Sequence, residues 1–210
     1  MARPRLHDPD SILDATLTVV LDRGAPEATI QAIAAESGAP TGSIYHAFGS
    51  REALLARMWV RAARRSQERF LEAAEAPAEP RAAALAAAMS VFDFARERPG
   101  DARLLASMRR EDLVGTAAEP SLVEELRQLN RPIENAIRDL ASRLVGKADG
   151  GAREAVALAT IDIPYGAVRR HLGAGRRPPG SLRAPLEQAV GAAIDAIKRD
   201  GDHGERDSRR

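Results

Sequence analysis

The chain has 210 residues, with 31 basic and 30 acidic side chains for a formal charge of +1, and it has no cysteine. The lack of cysteine excludes disulfides, thiolate nucleophiles and zinc–thiolate sites together, and it fits a reducing compartment, so a cytoplasmic protein is expected. Hydrophobic residues make up 44% and aromatics only 3%, so a full core has to come from Ala, Leu, Val and Ile. Good helix formers dominate and no long stretch alternates with period two, which predicts an all-α fold. No apolar run reaches 18 residues, and the opening MARPRLHDPD has no apolar segment, so neither a membrane span nor a secretion signal is expected.

Asp8 is a good N-cap, with Pro9 in the first helical position and Asp10 in the first turn. A helix therefore starts there and runs to Gly24, with Leu13, Leu17, Val20 and Leu21 as its apolar face. Thr29 caps a second helix whose inner face reads Ile30, Ile33, Ala34 and Ser37. Gly38 ends it, because glycine accepts the left-handed geometry of a helix C-terminus. Pro40 cannot continue that helix but suits the first turn of another, over 41–48, with Ile44 and Phe48 four apart on its buried side. The other side carries Thr41, Gly42, Ser43, Tyr45 and His46, small, polar or ring-ended groups suited to phosphates and base edges. This layout is a helix-turn-helix, in which the second helix enters the major groove. Ser50 then caps a long helix to about 76, with Leu54, Met58, Ala62, Ser66 and Phe70 on one face. Trp59 is expected in the core, and Arg57, Arg61, Arg64 and Arg65 on a solvated face.

Residues 10–55 resemble the DNA-binding domain of the TetR (tetracycline-repressor-like) family. The resemblance rests on Thr29, Ile33-Ala34, Ser37-Gly38-Ala39-Pro40, Gly42, Ile44-Tyr45 and Ala47-Phe48, followed by Gly49-Ser50-Arg51-Glu52 and Leu54. Two positions depart from the family's usual run. Pro40 stands where a serine usually caps the second helix, so Thr41 or a backbone group has that role. Ala47 stands where a histidine is common, with His46 one residue earlier. The resemblance implies DNA contact from Thr29 and Arg51 as well as from Thr41, Gly42, Ser43, Tyr45 and His46, Arg51 lying where the family often has a phosphate-contacting lysine. It also implies a three-helix DNA-binding domain over 1–50, a connecting helix over about 50–76, and a C-terminal helical effector-binding and dimerisation domain over 77–200. Arg3 and Arg5 are then either a minor-groove arm or a plain disordered basic end. Residues 1–76 hold nine arginines and ten acids, whereas DNA-binding domains are often basic. Asp10, Asp14, Asp22, Glu27 and Glu36 therefore have to face mostly away from DNA, with backbone N–H groups taking some phosphates.

Residues 76–80, APAEP, break the pattern and set the expected domain boundary. A helix over roughly 81–98 follows, with Leu85, Met89, Phe92 and Ala95 on one face. Another over about 101–112 buries Leu104, Leu105 and Met108, and a loose segment spans 115–120. Leu122, Leu126, Leu129, Ile133, Ile137, Leu140 and Leu144 then recur at steps of three and four, one apolar stripe that Pro132 should kink or split near Asn130. Gly146 and Gly150-Gly151 close it. A helix over about 152–172 is interrupted at Ile161-Asp162-Ile163-Pro164-Tyr165, where Asp162 either caps the backbone freed by Pro164 or makes a ligand or dimer contact. Residues 173–180, GAGRRPPG, form a turn; their Gly-x-Gly is no phosphate loop, because no strand precedes it. The last helix covers about 182–199, with Leu186, Val190, Ala193, Ile194 and Ile197 on one side, and 201–210 reads as a disordered charged tail.

The resemblance implies a DNA-binding transcriptional regulator, in the family's usual mode a repressor. It binds a palindromic double-stranded operator as a homodimer through the last two helices, 152–172 and 182–199, and a small-molecule effector releases it. The expected effector pocket is largely apolar, lined by Met89, Phe92, Met108, Leu126, Leu129, Ile133 and Tyr165, each of which plain core packing also explains. No cofactor and no metal is expected. Repressor and activator both stay open, and the residues name neither operator, effector nor regulated genes. An enzyme is not expected: no nucleophile–base pair, metal-ligand spacing or cofactor loop occurs, and His7, His46, His171 and His203 are scattered. The remaining alternative is a helical dimer that binds a partner protein and no DNA.

Overall fold

Side-chain caps set several helix starts in the computed structural model, which describes residues 8–116 and 119–207. The expected basic arm over 1–7, part of the loose segment (117–118) and 208–210 lie outside the described residues. Asp8 accepts from the Asp10 N–H, Thr29 from Ala32, Ser50 from Ala53 and Asp149 from Ala152, each satisfying a backbone donor that the first helical turn leaves unpaired. The helices are α1 (Pro9–Arg23), α2 (Ile30–Ser37), α3 (Thr41–Phe48), α4 (Arg51–Glu75), α5 (Pro80–Glu97) and α6 (Pro99–Ser107), then α7 (Arg110–Thr116), α8 (Pro120–Gln128), α9 (Arg131–Val145), α10 (Gly150–Ala157), α11 (Ile163–Gly173) and α12 (Arg183–Asp207). Among the described residues there is no strand, so the all-α expectation is met.

The chain divides into two compact units, one made of the segment up to Arg64 with Gly100–Leu129, the other of Arg65–Pro99 with the segment from Asn130 on. The expected boundary at 76–80 is therefore a turn inside the second unit. The first unit's core joins Ile12, Val19, Ile33, Ile44, Leu54 and Met58 to Leu104, Leu122 and Leu126. On α1 the buried face is Ile12, Leu13, Ala15, Thr16, Val19 and Val20. Leu17 and Leu21, expected there, lie half-buried toward α6, 3.5 Å from where a side chain at Gly100 would start. The second unit is built on α5, whose Ala83, Ala84, Ala87 and Ala88 are fully buried. Small side chains at successive turns let α9, α11 and α12 pack closely on it. Phe92 supplies the bulk, 1% exposed and contributing roughly 2–3 kcal/mol by burial.

Four features differ from the sequence reading. The helix expected over 101–112 is two, α6 and α7, with Met108 and Arg109 between them. The long stripe divides at Asn130 as expected, but its halves serve different cores: Leu122, Leu126 and Leu129 belong to the first unit, Ile137, Leu140 and Leu144 to the second. Asp162 caps nothing; it is exposed, with no capping hydrogen bond. Pro164 lacks an N–H, and the chain adapts by widening over Leu158–Asp162 into a π-turn, in which the Ile163 N–H reaches back to the Leu158 carbonyl. Finally, the expected tail is helical through Asp207, since no proline follows Pro185 to end α12.

Gly38 adopts φ 69° at the end of α2, in the left-handed region. Gly38→Ala should cost about 1–2 kcal/mol in urea unfolding although nothing crowds the site; an unchanged midpoint would mean the backbone there relaxes freely. Three carboxyls in the second unit are held below their ordinary values. Glu79 is lowered by backbone N–H groups of Arg81 and Ala82, Asp195 by the Arg81 guanidinium, and Asp149 by the Ala152 N–H and then Lys147. A depressed carboxyl stabilises the fold above its unfolded value and loses that effect as pH falls through the folded one, so thermal stability should drop on acidification below about pH 4. Glu79→Gln/Asp195→Asn should flatten that part of the profile.

Candidate nucleic-acid interface

Ile44, 0% exposed, and Phe48, 7% exposed, anchor α3 to the core beneath it. The helix is thereby fixed in rotation, and Thr41, Gly42, Ser43, Tyr45, His46 and Ala47 all face solvent. Tyr45 is 52% exposed, a large ring left in water where the family resemblance places a DNA contact. At the start of α3 no side chain caps the helix: the Pro40 carbonyl accepts from Ser43 and Ile44, while Pro40 itself offers no hydroxyl. Backbone donors at that end stay open to an anion, which a capping serine would partly occupy. Thr29, exposed at the start of α2, spends its hydroxyl oxygen on the Ala32 N–H at 3.1 Å.

Arg51 has a second task. Its Nε donates to the Ala28 carbonyl at 2.8 Å and its Nη2 to the Ala25 carbonyl, tying the start of α4 to the turn before α2. The arginines expected on a solvated face are also engaged. Arg57 pairs with Glu119 at 3.1 Å and Arg64 with Glu125 at 2.6 Å. Arg61, with only 13% of its side chain exposed, meets Asp10 and the Asp10 carbonyl at 3.0 Å and Asp14 at 2.5 Å. Two of the acids that had to avoid DNA are thus consumed inside the unit. Trp59 is 8% exposed and donates its indole N–H to the Met108 carbonyl at 3.1 Å.

The residues expected to line an effector pocket are divided between the units. Leu126 and Leu129 lie in the first unit's core and Met108 packs against it. Met89 and Phe92 are buried in the second, Ile133 is half-buried, and Tyr165 is 38% exposed. A recess of about 450 Å³ in the second unit is lined instead by Arg69, Glu72, Ala73, Ala86, Met89, Ser90, Asp93 and Arg183. Of the expected set only Met89 reaches it. Its other walls come from segments that meet only on folding, so no local pattern announces them. The described residues hold no group of three potential metal ligands, and no helix among them is long and apolar enough to cross a membrane.

Fold and outward face together define a helix-turn-helix whose second helix presents a polar face to solvent. Residues 12–58 match the family described as bacterial regulatory proteins, tetR family. No curated protein matches the sequence. Among solved structures, a transcriptional regulator from Rhodococcus sp. Rha1 is 22% identical with a TM-score of 0.68, covering 92% of this chain and 97% of its own. The fatty acid degradation regulator FadR of Bacillus halodurans is 15% identical (TM-score 0.66; 88% of this chain, 98% of its own). FadR of Bacillus subtilis, solved with stearoyl-CoA, is 14% identical (TM-score 0.64; 90% and 97%). At such identities the likeness is one of fold.

Replacing Arg61 by Leu leaves Asp10 and Asp14 without their partner. A loss of about 1–3 kcal/mol in unfolding free energy is expected, with the helix content of the folded protein unchanged by circular dichroism.

Proposed function

We propose that the chain is a DNA-binding transcriptional regulator of the cytoplasm, acting as a repressor on a palindromic operator and released by a small-molecule effector. The observation that carries this reading is the outward polar face of α3, rigidly backed by Ile44 and Phe48, inside the segment that matches the tetR family. One such helix reads only a few base pairs, so two copies are needed for a full site. Leu158, 51% exposed, and Tyr165, 38% exposed, leave apolar surface on the π-turn and α11, which supports a homodimer formed through α11 and α12. An effector with an apolar part is supported by the Met89 and alanine lining of the recess and by the acyl ligand of the Bacillus subtilis relative. Effector binding then shifts the population toward a dimer whose α3 helices are wrongly spaced for successive grooves.

The first test is binding of the purified protein to DNA upstream of its own gene at two salt concentrations, followed by a random-site selection. Sequence-selective binding that survives the higher salt supports the reading; failure of both leaves the partner-protein alternative. Tyr45→Ala should weaken operator binding by roughly ten- to thirtyfold, about 1.4–2 kcal/mol, with an unaltered melting temperature. Leu158→Glu/Tyr165→Glu should shift the sedimentation of the protein from dimer to monomer; dimers unaffected by both charges would move the interface elsewhere.

A further inference from the structure

The cations of this chain are unevenly placed. From Ile163 to Leu186 there are five arginines and a histidine but no acidic residue, although the whole chain carries only +1. The unit that presents α3 has no such excess: up to Arg64 it holds seven arginines and seven acids, and Gly100–Leu129 adds four arginines against six acids. Of the five, Arg183 pairs with Asp93 and lies over the Phe92 ring. Arg169, Arg170, Arg176 and Arg177 are exposed, and none has a carboxylate partner among the described residues. Arg170 meets only the His171 ring, at 3.2 Å.

Arg169 and Arg170 stand on α11, and the loop that carries Arg176 and Arg177 is held firmly. Gly175 takes φ 67°, so the Arg176 N–H reaches the His171 carbonyl at 2.8 Å and the Gly175 N–H reaches Leu172 at 2.9 Å. Pro178 is buried, and its carbonyl accepts from Arg96 Nη1 at 2.5 Å. Arg96 in turn lies 5.7 Å from the centroid of the buried Phe92 ring. The backbone beneath the four guanidiniums is therefore already ordered, so binding has only their side chains to immobilise. Arg96 stands near the end of α5, and Glu97 beside it pairs with Arg69 of α4.

We propose that Arg169, Arg170, Arg176 and Arg177 form a second DNA-binding surface that takes the phosphodiester backbone of duplex DNA whatever its sequence. The inference rests on the DNA-binding function proposed above, since duplex DNA is the polyanion that function brings to the protein. Arginine forks match phosphate oxygens in pairs, and a duplex offers one negative charge per ~1.7 Å of axis. This surface has no base-reading helix of its own, so it adds affinity and salt dependence and leaves base preference to α3.

The test is a salt titration of full-length protein on a 30-base-pair duplex of arbitrary sequence and on a selected operator. Each phosphate contact contributes about 0.9 to the slope of log K against log salt, so Arg169→Gln/Arg170→Gln/Arg176→Gln/Arg177→Gln should lower the slope by about 2–4 on both duplexes. The preference for operator over arbitrary DNA should stay within about twofold of wild type. Should circular dichroism show that this variant does not fold, Arg176→Gln/Arg177→Gln alone should lower the slope by about 1–2. A slope unchanged in the folded variant overturns the proposal while leaving the helix-turn-helix reading intact. Wild-type protein that binds no duplex overturns both. Arginine-dependent retention on polyglutamate with an unchanged DNA slope assigns the four arginines to an acidic protein segment, and so overturns the proposal too.

Discussion

A guanidinium taken out of water has to be met by acceptors, and Arg61 meets them on α1. Asp10 and Asp14 close on it from two turns of that helix, while its own Nε is buried without a hydrogen bond. The remaining arginines of the first half of α4 act in the same way on other segments. Arg51 holds the turn before α2, Arg57 the residue that precedes α8, and Arg64 the middle of α8. Exposed ion pairs are each worth little, but three arginines paired across segments, with the carbonyl contacts of Arg51, together help fix the rotation of α4. The same pairing offsets part of the acidic charge of α1: Asp10 and Asp14 are turned to Arg61.

Much of the first unit was legible because its signals are local. Thr29, Gly38 and Ser50 mark helix ends through chemistry that depends on their immediate neighbours alone, and each stands where that chemistry puts it. The buried pair Ile44 and Phe48 was legible for the same reason, and with it the outward set on α3. The arginines of α4 were not. A helical wheel places Arg57, Arg61 and Arg64 on a polar face, but their partners lie 47 to 62 residues away in sequence, and periodicity carries no information about what approaches that face.

Periodicity failed differently between 122 and 144. Spacing shows that a stripe is buried but not in which core, so a pattern that reads as one long helix serves two cores on either side of Asn130. The residues expected to line one apolar pocket inherit that ambiguity. The π-turn at Leu158–Asp162 was hidden for another reason: Pro164 announces a disturbance, but whether a side chain, a kink or an extra backbone residue absorbs it depends on the packing around it. Leu158, brought to the surface there, is the apolar group a plain helix wheel would not single out.

The discontinuity of the first unit bears on how such proteins are taken apart and recombined. Its hydrophobic interior is completed by Leu104, Leu113, Leu122 and Leu126, which follow the helix-turn-helix by more than fifty residues. The indole of Trp59 finds its acceptor at Met108, in the same later stretch. A fragment cut at the APAEP turn would carry the motif but leave Leu54, Met58 and Trp59 facing water, an invitation to aggregate. A chimaera meant to lend this reading head to another regulator would have to import residues 100–129 along with it, so the exchangeable part is defined by a shared interior and not by a stretch of sequence.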